Sequence, residues 1–125
     1  MNNYRKTLAV LFAALLGGES LAQEGHPLTG SWSGNRMVDG KASRILLVMD
    51  LQRDQTITGY VLENGKRSAL QNVELDASDW SVSFTLDGGY GVEGSIAELG
   101  SQTLRSINGT WTNGTGSGEF SVDIN

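Results

Sequence analysis

His26 is the only histidine of the chain and cysteine is absent, so these side chains assemble neither a Ser-His-Asp relay nor a thiolate or His-rich metal site. Two motifs with the outline of chemistry fail on their context. "GYGVEG" at 89–94 matches the G-x-G-x-x-G spacing, but that motif works at a strand-to-helix turn and no helical pattern follows it here. "GSWSG" at 30–34 has the outline of a nucleophile elbow with Trp32 where the serine belongs. The acidic pairs Asp50/Asp54 and Asp76/Asp79 fall at strand ends and turns; their spacing is incomplete for a calcium loop or a glycosidase pair, and turn chemistry accounts for them. The two "NGT" triplets at Asn108 and Asn113 fit glycosylation acceptors but read as strand and turn residues. The expectation is a protein without catalysis, cofactor or metal.

The chemistry that remains is recognition. Arg36, Glu63, Tyr90 and Trp111 form one set: two aromatic faces with a cation and a carboxylate are what a small-ligand mouth needs, if the fold brings them together. The same four also make a plugged rim closed by an Arg36 and Glu63 ion pair. Trp32 and Arg105 form a second set, in which a guanidinium on an indole caps one end of the fold by cation–π contact; the plainer alternative leaves Arg105 facing solvent. Leu46, Val48, Tyr60 and Leu62 are apolar residues with outward parity. They are either a partner surface or scattered exposure.

Strands must position all of these. Beyond residue 23 the apolar residues alternate with polar ones, the pattern of half-buried strands. "RILLVMDLQ" puts Ile45, Leu47, Met49 and Leu51 on one face, "WSVSFTL" puts Trp80, Val82, Phe84 and Leu86 on one face, and "EFSVDI" does so with Phe120, Val122 and Ile124. Turn signals at Asp39-Gly40, Asn64-Gly65, Asp87-Gly88-Gly89 and Asn113-Gly114 separate the runs. Strands are therefore expected near 29–38, 43–52, 56–63, 67–75, 80–86, 90–97, 103–112 and 117–124. A glycine recurs between two inward apolar residues in "LTGSW", "ITGYV", "VEGSI" and "INGTW". On the core side a missing side chain admits a bulky neighbour and lets a strand coil. The fold class expected is all-β, one up-and-down antiparallel meander of about eight strands closing into a barrel, with a two-sheet sandwich as the alternative. In a closed barrel, inward parity places Trp32 and Arg105 at one end and Arg36, Glu63, Tyr90 and Trp111 at the other.

The first residues have a different character. Two positive charges in "MNNYRK", the short apolar run "TLAVLFAALL" and the small-x-small triplet Ser20-Leu21-Ala22 read as a signal peptide over 1–22. The run is shorter than the roughly 20 residues that cross a bilayer. The expected organisation is a signal peptide (1–22), a flexible N-terminal arm (23–27) and a barrel (28–125), in a periplasmic or secreted protein. Without Arg5, Lys6 and Glu19, 7 basic and 13 acidic residues remain, a net charge of −6. That balance argues against nucleic acid and against a membrane partner after signal cleavage, since both select clustered Lys and Arg. The core must also hold the fold without a disulfide.

Gly30-Ser31-Trp32-Ser33-Gly34, the alternating "ILLVMDL", "ITG", "VEGSI" and the closing "INGTW" together resemble a small exported bacterial β domain found ahead of α/β-hydrolases. That resemblance spans most of 28–124 and implies an accessory role. Gly30-Ser31-Trp32 is also similar to the G-x-W signature of lipocalins and calycins, with Arg105 in the place of their Trp-stacking arginine. It implies a lipocalin-like barrel that binds an unknown small apolar ligand, although the chain is short and lacks the C-terminal helix and second motif of that family. The "L-x-G-x-W" start resembles bacterial protease inhibitors of lipocalin-like fold too, which usually carry a disulfide. It implies a protein partner held by the outer surface or by the arm "QEGHP".

Overall fold

A computed structural model describes residues 26–98 and 104–125. The signal peptide read at 1–22, residues 23–25 of the arm and position 103 of the seventh expected strand lie outside the described residues. The described chain is all-β: β1 (Gly30–Val38), β2 (Lys41–Leu51), β3 (Ile57–Glu63), β4 (Lys66–Asp76), β5 (Ser81–Leu86), β6 (Gly91–Glu98), β7 (Arg105–Thr112) and β8 (Ser117–Ile124). Each strand pairs antiparallel with the next, and β1 also pairs with β8 from Trp32 opposite Ile124 to Arg36 opposite Phe120. This last ladder closes the barrel and rules out the sandwich, leaving no sheet edge unpaired among the described residues.

Alternation decides which way each residue faces. In β2, Ile45, Leu47 and Met49 are buried while Arg44 and Asp50 are exposed. Trp32, Phe84 and Phe120 are the largest fully buried side chains, the two phenylalanines meeting edge to face with ring centroids 5.9 Å apart. Eight strands enclose just enough room for such side chains. Each fully buried large apolar side chain contributes roughly 1.5–3 kcal/mol, which is how the fold holds without a disulfide.

The inward glycines do more than admit bulky side chains. Gly94 and Gly109 face each other across β6 and β7, and a Cβ on Gly94 would lie 2.8 Å from the Gly109 Cα. At this pair the space is taken by the neighbouring backbone, which only two facing glycines permit. Two of the hairpin signals, after β1 and β3, are realised as two-residue turns, while the turns after β5 and β7 span 87–90 and 113–116. Asp39 and Gly40 have φ of 52° and 80°, Asn64 and Gly65 have 53° and 76°, the left-handed pair that a twisted hairpin requires.

Two local departures stand out. Trp80, expected to face the core with Val82 and Phe84, is instead 46% exposed. It precedes β5 with φ of 59°, so its carbonyl still accepts the Ile96 N–H at 2.9 Å while its side chain leaves the inward row. The preceding turn forces this, because Asp76 accepts the Ser78 N–H at 2.9 Å and Asp79 the Ser81 N–H at 3.0 Å. In β4 the register shifts between Gln71 and Glu74, with Asn72 at φ of 55°, a bulge that restores inward parity for Val73 and Leu75.

Candidate functional site

The turns after β1, β3, β5 and β7 ring one end of the barrel, and the expected set meets there. Arg36 on β1 lies opposite Ser43 on β2, and both reach the Glu63 carboxylate at the end of β3. Arg36 Nε donates to Glu63 Oε2 at 2.9 Å and to Oε1 at 3.0 Å, and the Ser43 hydroxyl donates to Oε2. The Arg36 and Glu63 side chains are 17% and 13% exposed, so the pair is largely shielded from water. The Arg36 guanidinium lies over the ring of Tyr90 at 4.1 Å and over that of Trp111 at 4.6 Å. Those two rings meet edge to face at 5.7 Å. Trp111 Nε1 donates to the Met37 carbonyl at 2.8 Å, and its indole lies against Gly118, where a Cβ would stand 2.7 Å from Nε1.

Tyr90 is buried, and its hydroxyl has no hydrogen-bond partner among the described residues. Burial raises its pKa well above the ordinary tyrosine value, with the Glu63 charge adding to the rise and Arg36 opposing it, so the hydroxyl keeps its proton. Tyr90 also lines a concavity of about 590 Å³, together with Arg36, Glu63, Lys66, Leu86 and Asn113, among others. Trp111 is not in this wall; it forms the layer beneath.

Lys66 and Asn113 were not among the expected site residues. Both stand beside turn signals that the sequence displays, Asn64-Gly65 and Asn113-Gly114, so the hairpin order puts them at this end. The Asn113 Oδ1 accepts the N–H of Thr115 at 3.0 Å and of Gly116 at 2.8 Å. Its amide nitrogen is therefore the part of the side chain left to donate.

The other end carries a parallel pair, closed. Trp32 is fully buried and its Nε1 donates to the Leu28 carbonyl at 3.0 Å. The Arg105 guanidinium stands 5.9 Å from the Trp32 ring centroid, at the outer limit of cation–π contact. The two expected residues thus stand in contact, and the chain at 26–29 folds onto the same end. His26 and Pro27, placed in the flexible arm, are half-buried, and His26 Nδ1 accepts the Leu28 N–H at 3.1 Å while its carbonyl accepts the Thr29 N–H at 3.2 Å. Burial lowers the His26 pKa, in keeping with an accepting, neutral Nδ1.

The outward apolar residues form a ladder in which Leu46 faces Leu62 and Val48 faces Tyr60. All four are half-buried, and the Arg67 guanidinium covers the Tyr60 ring at 3.9 Å. Among the described residues no group of three or more His, Cys, Asp or Glu side chains is placed to hold a metal ion. Asp54 and Asp76 are turn residues, each accepting hydrogen bonds from the residue two further on, which lowers their pKa values. No protein-family model, curated protein or solved structure matches this chain.

Proposed function

We propose that this chain is a non-catalytic, exported binding module that takes a small ligand in the concavity at the turn-ringed end. The observation that carries the reading is an opening of about 590 Å³ whose wall includes Arg36, Lys66 and Tyr90, the Tyr90 hydroxyl being buried and unpartnered among the described residues. A buried polar group without a partner costs about 1–3 kcal/mol, a cost that a ligand atom would relieve. The volume lies within the range of roughly 300–1,000 Å³ that small-ligand pockets occupy. Arg36, Glu63 and the two aromatic rings are already locked together, so the wall is organised before anything binds. The lining is more polar than a purely apolar ligand needs.

Native mass spectrometry of the protein purified from its own host tests this. An adduct of low molecular mass that disappears in Tyr90→Phe is the expected result. A bare mass for both proteins, with no change in Trp111 fluorescence on adding host extract, would overturn it. A protein partner on the Leu46, Val48, Tyr60 and Leu62 ladder is the second reading, favoured by the direct pairing of four outward apolar residues. That face is half-covered by its own side chains, whereas the opening is not. Binding lost in Val48→Asp and kept in Tyr90→Phe would select the ladder.

A further inference from the structure

The walls of the concavity differ in what they have left to offer. Glu63, the one carboxylate in the wall, is already engaged: both its oxygens accept from Arg36 Nε and one also from Ser43. Arg36 gives only Nε to that pair, so its two terminal nitrogens lie outside it. Lys66 presents an ammonium, which can only donate. Asn113 has committed its oxygen to the N–H groups of Thr115 and Gly116, leaving two N–H donors. The Tyr90 hydroxyl holds a proton without an acceptor among the described residues. Asn64 and Ser68 in the same wall serve as donor or acceptor. Arg36 and Lys66 against Glu63 also make the wall net positive within a chain whose barrel is strongly acidic. Asp39 and Asp87 belong to turns at this end but are not in the wall.

A surplus of donors with one net positive charge has one complement. We infer that the opening selects a small organic molecule bearing a terminal oxyanion, a carboxylate or a phosphate or sulfate ester, with an apolar body. The oxyanion accepts from Tyr90, Arg36, Lys66 and Asn113, and the body lies against Leu86 and Val61, which complete the wall. Charge-assisted bonds of this kind are about twice as strong as neutral ones, and the shielded position of Arg36 limits their screening. The inference rests on the reading of this opening as the ligand site and adds the class of ligand.

The test is calorimetric titration of the purified protein with three molecules of one shape and different charge: phenylacetate, 2-phenylethanol and 2-phenylethylamine. Phenylacetate is expected to bind at least tenfold more tightly than the amine, with the alcohol between them. That preference should shrink several-fold in Tyr90→Phe and in Lys66→Met, the second being an exposed position whose change leaves the fold intact. Phenyl phosphate in place of phenylacetate separates the two oxyanion sources, the tighter of the two naming the natural head group. Equal binding of all three, or preference for the amine, overturns the oxyanion inference while leaving the opening as a ligand site. No saturable binding by any of the four molecules overturns the inference, and a bare mass in the native spectrum then overturns the ligand-site reading as well.

Discussion

The two ends of the barrel are built from the same parts and finished differently. Each has a tryptophan whose indole N–H is bonded to a main-chain carbonyl, Leu28 for Trp32 and Met37 for Trp111, and each has an arginine over that ring. At the Trp32 end the chain preceding β1 folds across the opening, and the indole is fully buried. At the Trp111 end, among the described residues, hairpin turns alone ring the opening, and a concavity stays open there. An Arg–Trp pair therefore does not seal a barrel by itself. Sealing needs a chain segment over it, and the end without one keeps its polar groups available.

The largest expected effect comes from removing each tryptophan. Trp32→Ala leaves a cavity inside a shut end and orphans the Leu28 carbonyl, a loss of about 4 kcal/mol. Trp111→Ala opens onto the concavity, where water enters and satisfies Met37, so about 2–3 kcal/mol is expected. Urea unfolding of both variants reads the difference. Equal losses would mean that the two ends are equally closed and would remove the basis of the comparison.

A smaller effect separates the ion pair from the stacking. Arg36→Met leaves the shielded Glu63 carboxylate with Ser43 alone, and a cost of about 1–3 kcal/mol is expected, most of it recovered in the Arg36→Met/Glu63→Gln double variant. Arg105→Met at the other end removes a longer cation–π contact worth about 1 kcal/mol. A double-mutant cycle with no coupling between positions 36 and 63 would show that only the aromatic contacts hold Arg36.

The ends also differ in how pH loosens them. His26 has a folded pKa below its unfolded value of about 6.5, so its contribution is present above that pH and is lost as the pH falls through it. Tyr90 has a folded pKa above its unfolded value of about 10, so its contribution is present below that pH and is lost as the pH rises past it. Acid is thus expected to weaken the closed end and alkali the open one. The midpoint of urea unfolding against pH checks both arms, with His26→Gln flattening the acid arm and Tyr90→Phe the alkaline arm. A flat profile in the unmodified protein would contradict both assignments.

The architecture was legible because period-two alternation survives wherever a strand has one wet face, as in Ile45, Leu47 and Met49 of β2. The meeting of four residues followed from the same counting: inward parity and hairpin order put Arg36, Glu63, Tyr90 and Trp111 at one end, though Trp111 lies outside the wall of the concavity. Counting failed where the backbone departs from an extended strand. Trp80 left the inward row through one left-handed φ, and the bulge at Asn72 is invisible to a pattern that assumes unbroken pairing. His26 was illegible as a closing element because its role depends on where residues 26–29 turn, not on their types. Lys66 and Asn113 escape the same count for another reason: both sit at hairpin turns, where inward parity does not apply, and the free donors of Asn113 emerge only once its oxygen is known to be occupied.

Tyr90→Phe has the smallest effect on stability and separates the two ends most sharply. At the closed end Trp32 satisfies its polar atom internally, so removing that atom's bond can only cost stability. At the open end the Tyr90 hydroxyl makes no bond to the described residues while its ring makes the contacts with Arg36 and Trp111. Phenylalanine keeps those contacts and removes a desolvated hydroxyl, so the variant alone is expected to be as stable as the unmodified protein or more stable by about 0.5–1 kcal/mol. With a saturating oxyanion ligand the order reverses, because only the tyrosine gains a bond and ligand binding stabilises the folded state in proportion to its affinity. Melting temperatures of the two proteins, with and without phenylacetate, measure the crossing. A variant that is less stable in both conditions would show that the hydroxyl serves the barrel and not a ligand, making the open end as self-sufficient as the closed one.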